Sequence, residues 1–455
     1  MRLRSEWRFS EGYRRVMRLS RNPRSFFGRY GSLGCVFVLN GASLKGTRVE
    51  SMNKAYVYDS VRSPRGRGKP DGSLHEVTAL QLSSTMLKAL QERNNFDPML
   101  IDDVVWGCVT PVGEQGGNLP RIASLLAGYG HTVPGVQVNR FCASGLESVA
   151  MAAAQISAGY GDAYVAGGVE MMGRIPMGSD GMLVAVDPLI SIPYCIVPQG
   201  IAADLIATMY GFTRKACDAF AVESHQLGAA AWKEGRFANT VLPILDQNEM
   251  MILDKDEHLL PEITVEALAE LKPVFQDIGE KMPGFDHVAL MKYQHLEFIS
   301  HVHHAGNSSG VVDGAAAILL GSDVLKKDHG LMPRAVIRAV ARVGTDPTVM
   351  LTGSIAATKK ALKKAGMTIN DIDIFEVNEA FSSVVLQFMQ AFDITDRMKI
   401  NPNGGSIAFG HPLGATGAIL LGTALDELER SEKSVALVTL CVAVGMGIAV
   451  IIERI

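Results

Sequence analysis

No two cysteines in this chain form a C-x-x-C pair, and that absence removes several protein classes at once. The six cysteines, at 35, 108, 142, 195, 217 and 441, are scattered over 455 residues. A zinc ribbon needs clustered thiolates, and a disulfide framework belongs to small secreted chains. These six therefore read as reduced thiols in a reducing compartment. An excess of one charge is also missing. The 43 basic residues face 47 acidic ones for a net of −4, so no overall positive field argues for a nucleic-acid partner. One run, Ser434 to Ile452, carries no charge and approaches the length of a membrane-spanning helix. Gly445 and Gly447 interrupt it, and Val and Ile dominate its flanks. That pattern predicts two buried strands joined by a tight glycine turn and no transmembrane segment.

What is present is a globular composition, 47% apolar and 20% charged, long enough for two or three domains with a substantial core. Residues 1–51 stand apart, with ten arginines against three glutamates and no sustained period. An Arg-rich, Ser-containing, acid-poor leader has the composition of a mitochondrial transit peptide. Glu6 and Glu11 interrupt any basic face, so an upstream extension with Met52 as the true start is the preferred reading. The compartment expected is then the cytoplasm, with the mitochondrial matrix as the alternative. The short apolar run Cys35–Leu39 is weak as a signal-peptide core.

From 52 to 170, short apolar runs alternate with helical patterns. Residues 55–64, Ile101–Val109 and Ala163–Gly168 read as strands, and Leu80–Gln91 and Leu146–Ala158 as helices. Such alternation predicts an α/β fold with right-handed crossovers and a largely parallel, buried sheet. From about 171 to 300 the pattern loosens into charged helical patches, Arg214–Phe237 and Thr264–Leu271, among irregular loops, as in a cap or binding excursion. After Val311 the rhythm returns. Strands are expected at Ala315–Leu320, Ala335–Val340, Ile372–Val377 and Val435–Leu440, with helices at Ile355–Ala365 and Ala380–Ala391. A duplicated α/β unit with an inserted cap is the expected architecture.

Four segments could carry chemistry. In Val138-Asn139-Arg140-Phe141-Cys142-Ala143-Ser144-Gly145-Leu146, a strand end passes through small residues into a helix. Cys142 would sit at the helix N-terminus, where N–H groups and the macrodipole favour the thiolate and an oxyanion. A small buried core cysteine is the blander alternative. His411 lies between Asn401-Pro402-Asn403-Gly404-Gly405-Ser406 and Gly410-His411-Pro412-Leu413-Gly414-Ala415-Thr416-Gly417, on backbone that cannot be regular. A neutral imidazole there could take the thiol proton. The alternative is a glycine-rich turn with an incidental histidine, though not a phosphate loop, because no Gly-Lys-Ser/Thr follows. Thr439-Leu440-Cys441-Val442-Ala443-Val444-Gly445-Met446-Gly447 again leads a strand to a cysteine, and two such cysteines suggest a nucleophile and an acid/base. In Glu376-Val377-Asn378-Glu379-Ala380-Phe381, Asn378 could cap a helix or hold a water.

These motifs together resemble the thiolase family, from Lys54 to the C-terminus and in the family's order. Asn-Glu-Ala-Phe, Gly-His-Pro-Leu-Gly-Ala-Thr-Gly and a late cysteine ahead of Gly-Met-Gly are jointly very specific. Gly167-Gly168-Val169-Glu170-Met171-Met172, Asp218-Ala219-Phe220-Ala221 and Ala305-Gly306-Asn307-Ser308-Ser309-Gly310 are also family-like. The resemblance implies duplicated α/β units in a layered αβαβα arrangement with an inserted loop domain. On this reading residues 1–51 are an extension, 52–330 the N-terminal domain with the loop domain at about 171–300, and 331–455 the C-terminal domain.

The resemblance also implies roles. Cys142 would accept the acyl group and His411 would activate it, donating as well to the oxyanion hole where the thioester enolate forms. Asn378 would hold a water in that same hole. Cys441 would remove or return the proton alpha to the thioester. The backbone N–H groups of Cys142 and Ala443 would form the second hole, and Ser309 would line the pantetheine path. The implied reaction is reversible cleavage of a 3-ketoacyl-CoA, or condensation to acetoacetyl-CoA, in fatty-acid β-oxidation. Coenzyme A would be a substrate and no cofactor or metal would be needed. The expected assembly is a homodimer or homotetramer, with a further β-oxidation enzyme as a candidate partner, no nucleic acid and no membrane span.

Three positions depart from the family pattern. Ala443 and Val444 stand where glycines are usual, Pro198-Gln199-Gly200 replaces Met-Gly at a position that commonly lines the acyl pocket, and His304 replaces Thr. A ketoacyl synthase-like enzyme is one alternative, disfavoured because the second partner of the nucleophile is Cys441 and not a second histidine. The other is a non-catalytic acyl-CoA or sterol-binding relative, against which intact Cys142, His411 and Cys441 argue. In His301-x-His303-His304, alternation puts two imidazoles on one face with no carboxylate nearby in sequence, so pocket-lining or structural histidines are expected over a metal site. Arg62, Arg65, Arg67 and Lys69 read as a solvated loop, with contact to CoA phosphates as the lesser alternative.

Overall fold

The computed structural model describes residues 53–281 and 284–455, so the readings made for the leader and for Met52 lie outside the described residues. The first half runs β1 (Tyr56–Arg62), α1 (Ala79–Asn94), β2 (Asp103–Gly107), α2 (Leu119–Leu126), β3 (Gly135–Val138), α3 (Ser144–Ala158) and β4 (Ala163–Met171). An excursion follows, whose main helices are α4 (Gln199–Tyr210) and α5 (Arg214–Lys233). Next come β5 (Val312–Gly321), β6 (Ala335–Gly344), α6 (Gly353–Ala365), β7 (Ile374–Val377), α7 (Ser382–Ala391), α8 (Leu413–Arg430), β8 (Val435–Val442) and β9 (Met446–Arg454).

Ladder order along the sheet is β7-β8-β9-β6-β1-β5-β4-β2-β3. Each half repeats one order, β1-β5-β4-β2 and β6-β9-β8-β7. The outer flank is β3 in one half and a parallel bridge from Phe375 to Ile400 in the other. The halves join where Tyr56 and Val57 of β1 pair with Val336 and Ala335 of β6. The duplication expected from sequence rhythm is therefore a repeat of topology.

The expected largely parallel sheet is corrected. Only β2 with β3, β2 with β4 and β7 with β8 are parallel, while the central ladders are antiparallel. Two features turn the chain round. The long excursion lets β5 return against β4, and the 443–445 turn folds β9 back onto β8 with Val442 opposite Met446. That hairpin is the strand pair read from the uncharged run Ser434–Ile452. Among the described residues, no helix is long and apolar enough to cross a membrane.

Side chains sort into five layers. Residues of α1 and α2 (Leu82, Met86, Leu119) pack on one outer face of the first half. The inner faces of both halves (Val105, Ala316, Val438, Val450) close on α3 and α8 through Leu146, Val149, Leu421 and Leu425. Residues of α6 and α7 (Ala357, Ala361, Val385, Phe388) cover the other outer face. The central helices touch at backbone distance. A Cβ on Gly417 would lie 2.2 Å from the Leu146 nitrogen, and one on Gly145 would lie 2.7 Å from the Gly414 carbonyl oxygen. That close approach brings the N-termini of α3 and α8 together. Cys142 stands two residues before the first residue of α3, and His411 two residues before the first of α8.

Candidate active site

The turn ahead of α3 is locked by its own side chains. Asn139 Oδ1 accepts the Phe141 N–H at 2.8 Å, and Ser144 Oγ accepts the Arg140 N–H at 2.8 Å while donating to the Phe141 carbonyl at 2.7 Å. Phe141 takes a left-handed φ of 45°, an uncommon conformation for a bulky residue, and this presents Cys142 on a sharp bend. The thiol is 7% exposed. Burial pushes it up to about 11, against the Ala443 N–H, its own N–H and the Gln199 amide, which all pull toward the thiolate. The expectation that a helix N-terminus would lower the pKa of Cys142 is therefore corrected. Desolvation outweighs the dipole, and the resting group is a thiol that needs a base.

His411 supplies a neutral one. Burial first, and the Arg65 cation second, pull it down to about 3. The Thr416 hydroxyl gives its proton to the Pro412 carbonyl at 2.9 Å, so at 2.6 Å it must accept from His411 Nδ1–H. That leaves Nε2 as the unprotonated nitrogen. Ser406 donates to Asn378 Oδ1 at 2.7 Å, which turns the Asn378 Nδ2 donor toward His411 Nε2 at 3.2 Å. Once Nε2 takes a proton, both atoms become donors with no acceptor between them. A developing enolate oxygen would complete the pair.

The remaining expected residues converge on these two. The His411 N–H donates to the Gly310 carbonyl at 2.9 Å, and the half-buried Ser309 donates its N–H to Ala380 at 3.0 Å, next to the Asn378 strand end. Cys441 is buried near the end of β8, where burial first and the neighbouring Cys142 second disfavour its ionisation. Together these push the Cys441 thiol well above its usual range. Ala443 lies in the β8–β9 turn and keeps the N–H expected of it, which pulls the Cys142 thiol toward the thiolate. Gln199, the first residue of α4, pulls the same thiol down from the excursion.

Val444 carries strain. Its φ of 62° is left-handed, a poor place for a β-branched residue, in a turn whose next residue, Gly445, is also left-handed. Replacing Val444 with Gly is expected to stabilise the fold by about 1 kcal/mol, the strain relieved less the extra freedom of the unfolded chain. The urea midpoint checks this, and a lower midpoint for V444G would contradict it.

Several supporting residues escaped the sequence reading. Glu170 is buried and accepts N–H bonds from Val109, Thr110 and Gly414 at 2.9–3.0 Å, tying the loop after β2 to the start of α8. Glu379 accepts from Ser224 and Asn401 and shapes the 401–407 loop. Thr416 and Ser406 fix the histidine and asparagine. All four lie inside quoted motifs, but only the fold reveals their partners.

One expectation is corrected here. Arg62 and Arg65 are not a solvated loop. Asp256 holds Arg62 through two bonds of 2.8 Å, and buried Arg65 donates to the Gly410 carbonyl at 3.1 Å. The histidine cluster does have carboxylates, brought from distant sequence. His301 bonds Asp204 and Asp286 at 2.8 and 2.9 Å, His303 bonds Asp204 at 2.7 Å, and His304 bonds Asp218 at 2.7 Å. Burial opposes a charge on His301, yet its two carboxylates win and push it up to about 9. These imidazoles brace the excursion.

A buried thiol under two backbone donors, beside a neutral histidine–asparagine couple and a second thiol, is equipped for acyl transfer through a cysteine thioester. Residues 55–284 match the family model of the thiolase N-terminal domain, and residues 331–454 that of the thiolase C-terminal domain. The chain belongs to the thiolase family. It is 39% identical over 407 residues to a 3-ketoacyl-CoA thiolase of Psychrobacter cryohalolentis, covering 88% of this chain and 97% of that one. It is 38% identical over 411 residues to a 3-ketoacyl-CoA thiolase of Colwellia psychrerythraea, covering 89% and 100%. The crystal structure of the Bacillus anthracis acetyl-CoA acetyltransferase superposes with a TM-score of 0.77 at 31% identity, over 89% of this chain and 100% of that one.

Proposed function

We propose that the protein is a 3-ketoacyl-CoA thiolase that works through an acyl-Cys142 intermediate, with CoA entering as a substrate and no other cofactor taking part. The observation that carries this reading is a neutral His411, its Nδ1–H committed to Thr416 and its Nε2 unprotonated, at the head of α8 where that helix closes on the N-terminus of α3 and Cys142.

In thiolysis, His411 Nε2 takes the Cys142 proton and the thiolate attacks the 3-keto carbon. The oxyanion that forms is held by the Cys142 and Ala443 N–H groups. The C2–C3 bond breaks, leaving an acyl-thioester on Cys142, and the electron pair passes to an enolate whose oxygen lies against His411 Nε2–H and Asn378. Cys441 donates its proton to C2, and acetyl-CoA departs. Free CoA then gives its thiol proton to the Cys441 thiolate and attacks the acyl-Cys142 carbonyl. Cys142 leaves as a thiolate and recovers its proton from His411. Every proton is returned, and a difficult C–C step becomes two easier ones with ping-pong kinetics.

Thiolysis assays with free CoA and 3-ketoacyl-CoA substrates from short to long chain test the reading. Turnover is expected, and the length profile assigns the acyl preference. A folded protein that turns over no length would overturn it and leave an acyl-CoA-binding relative.

A further inference from the structure

Gly410 precedes His411 and lies at φ 88°, ψ 170°, backbone that glycine alone adopts readily. The peptide that joins the two residues is therefore free to rotate unless its polar ends are held. Both are. The His411 N–H donates to the Gly310 carbonyl at 2.9 Å, and the Gly410 carbonyl accepts from Arg65 Nη1 at 3.1 Å. Arg65 belongs to the loop after β1. It is 5% exposed, and its Cζ lies 5.2 Å from the centre of the Phe409 ring. Its charge is lightly compensated. Asp256 already accepts two bonds of 2.8 Å from Arg62 and stands 3.9 Å from Arg65 Nε, so two cations share one carboxylate. Among the described residues, Arg65 Nε has no hydrogen-bond partner. A buried cation in that position costs stability, and the hydrogen bond its side chain does make goes to the peptide that carries His411.

We propose that Arg65 is a positioning residue that fixes the Gly410–His411 peptide and with it the place of the His411 imidazole, which rests on the thiolase reading given above. Nε2 must stay beside the Asn378 amide, 3.2 Å away, for the two to meet one enolate oxygen. A rotated peptide would carry the ring out of that pairing. The charge adds a second effect, since it works with burial to keep the imidazole neutral and able to take a proton. Arg65 thus supports both halves of the reaction, because His411 activates Cys142 in one and holds the enolate in the other.

Arg65→Met keeps apolar bulk on Phe409 and removes the donor and the charge. Asp256 keeps Arg62, so no buried carboxylate is left unpaired. The kcat of thiolysis should fall at least about tenfold with KM little changed, since Arg65 acts through His411 and not on CoA. Acetylation of Cys142 by acetyl-CoA, followed by protein mass, should slow by a similar factor. Arg65→Gln, which is neutral and too short to reach the carbonyl, should behave like the Met variant and stands in for it if R65M does not fold. Arg65→Lys keeps the charge and a donor and should recover part of the loss, which a merely structural role would not produce. A folded neutral variant with unaltered kcat, one whose loss lies only in KM, or a Lys variant no better than Met overturns the proposal. Failure of the unaltered protein to acquire an acetyl group from acetyl-CoA would instead defeat the thiolase reading, so the two failures are distinguishable.

Discussion

Alanine in place of Cys142 should leave a folded protein that never forms an acyl-enzyme and whose thiolysis rate falls by at least about four orders of magnitude. The size of the effect follows from the thiol's surroundings. Burial pushes the thiol up and holds it protonated at neutral pH, so the structure does not simply display a reactive anion, and the substitution removes the one nucleophile the site can activate. Reactivity depends on transferring that proton to His411 Nε2 and stabilising the new charge with the donors around the sulfur. No other described cysteine has these neighbours. Burial and Glu170 raise Cys108, and burial with Asp218 raises Cys217. Incubating C142A with radiolabelled acetyl-CoA should leave the protein unlabelled. Label acquired at the unaltered rate would show that the nucleophile lies elsewhere.

The second large effect is selective. Cys441→Ala should still be acetylated on Cys142 by acetyl-CoA, because the Cys142 thiolate, His411 and the two N–H groups remain, and CoA can leave as a thiolate without the proton that Cys441 would return to it. Formation or cleavage of the C2–C3 bond should nevertheless fall by about two to four orders of magnitude, since no group remains to move the C2 proton. Cys441 suits that role because burial and the neighbouring Cys142 both hold it as a thiol, ready to donate. The comparison to make is acetyl exchange between acetyl-CoA and free CoA against condensation in the same preparation. Equal loss of both, or equal survival of both, would contradict the division of labour.

Cys142 and His411 stood out in the sequence because each lies on backbone that regular structure cannot explain, whereas Cys441 and Asn378 lie at strand ends, inside motifs that the family resemblance marks. Cys142 falls between a strand and a helix, His411 between glycine clusters, and Cys441 ahead of a glycine turn. The β8–β9 hairpin was legible for a related reason, since glycines broke an otherwise continuous apolar run. Strand direction was not. Local alternation marks that β4 and β5 exist, but 140 residues separate the end of one from the start of the other, and nothing local sets their relative sense. The carboxylates of the histidine cluster were invisible for the same reason, since Asp204 lies 97 residues from His301. The ionisation of Cys142 was misjudged because a helix terminus is a local feature, whereas desolvation depends on the whole core closing over it. Ala443 illustrates the opposite case. A side-chain substitution looked threatening in sequence, but the group that matters is a backbone N–H, and it is retained.

The most direct test supplies a 3-ketoacyl-CoA with no free CoA. The account predicts a single burst of acetyl-CoA, about one equivalent per active site, and a protein whose mass rises by the shortened acyl chain, located by peptide mapping on Cys142. Added CoA should then release the acyl group as acyl-CoA. No burst from folded protein, or an acyl group mapped to any residue other than Cys142, would contradict it.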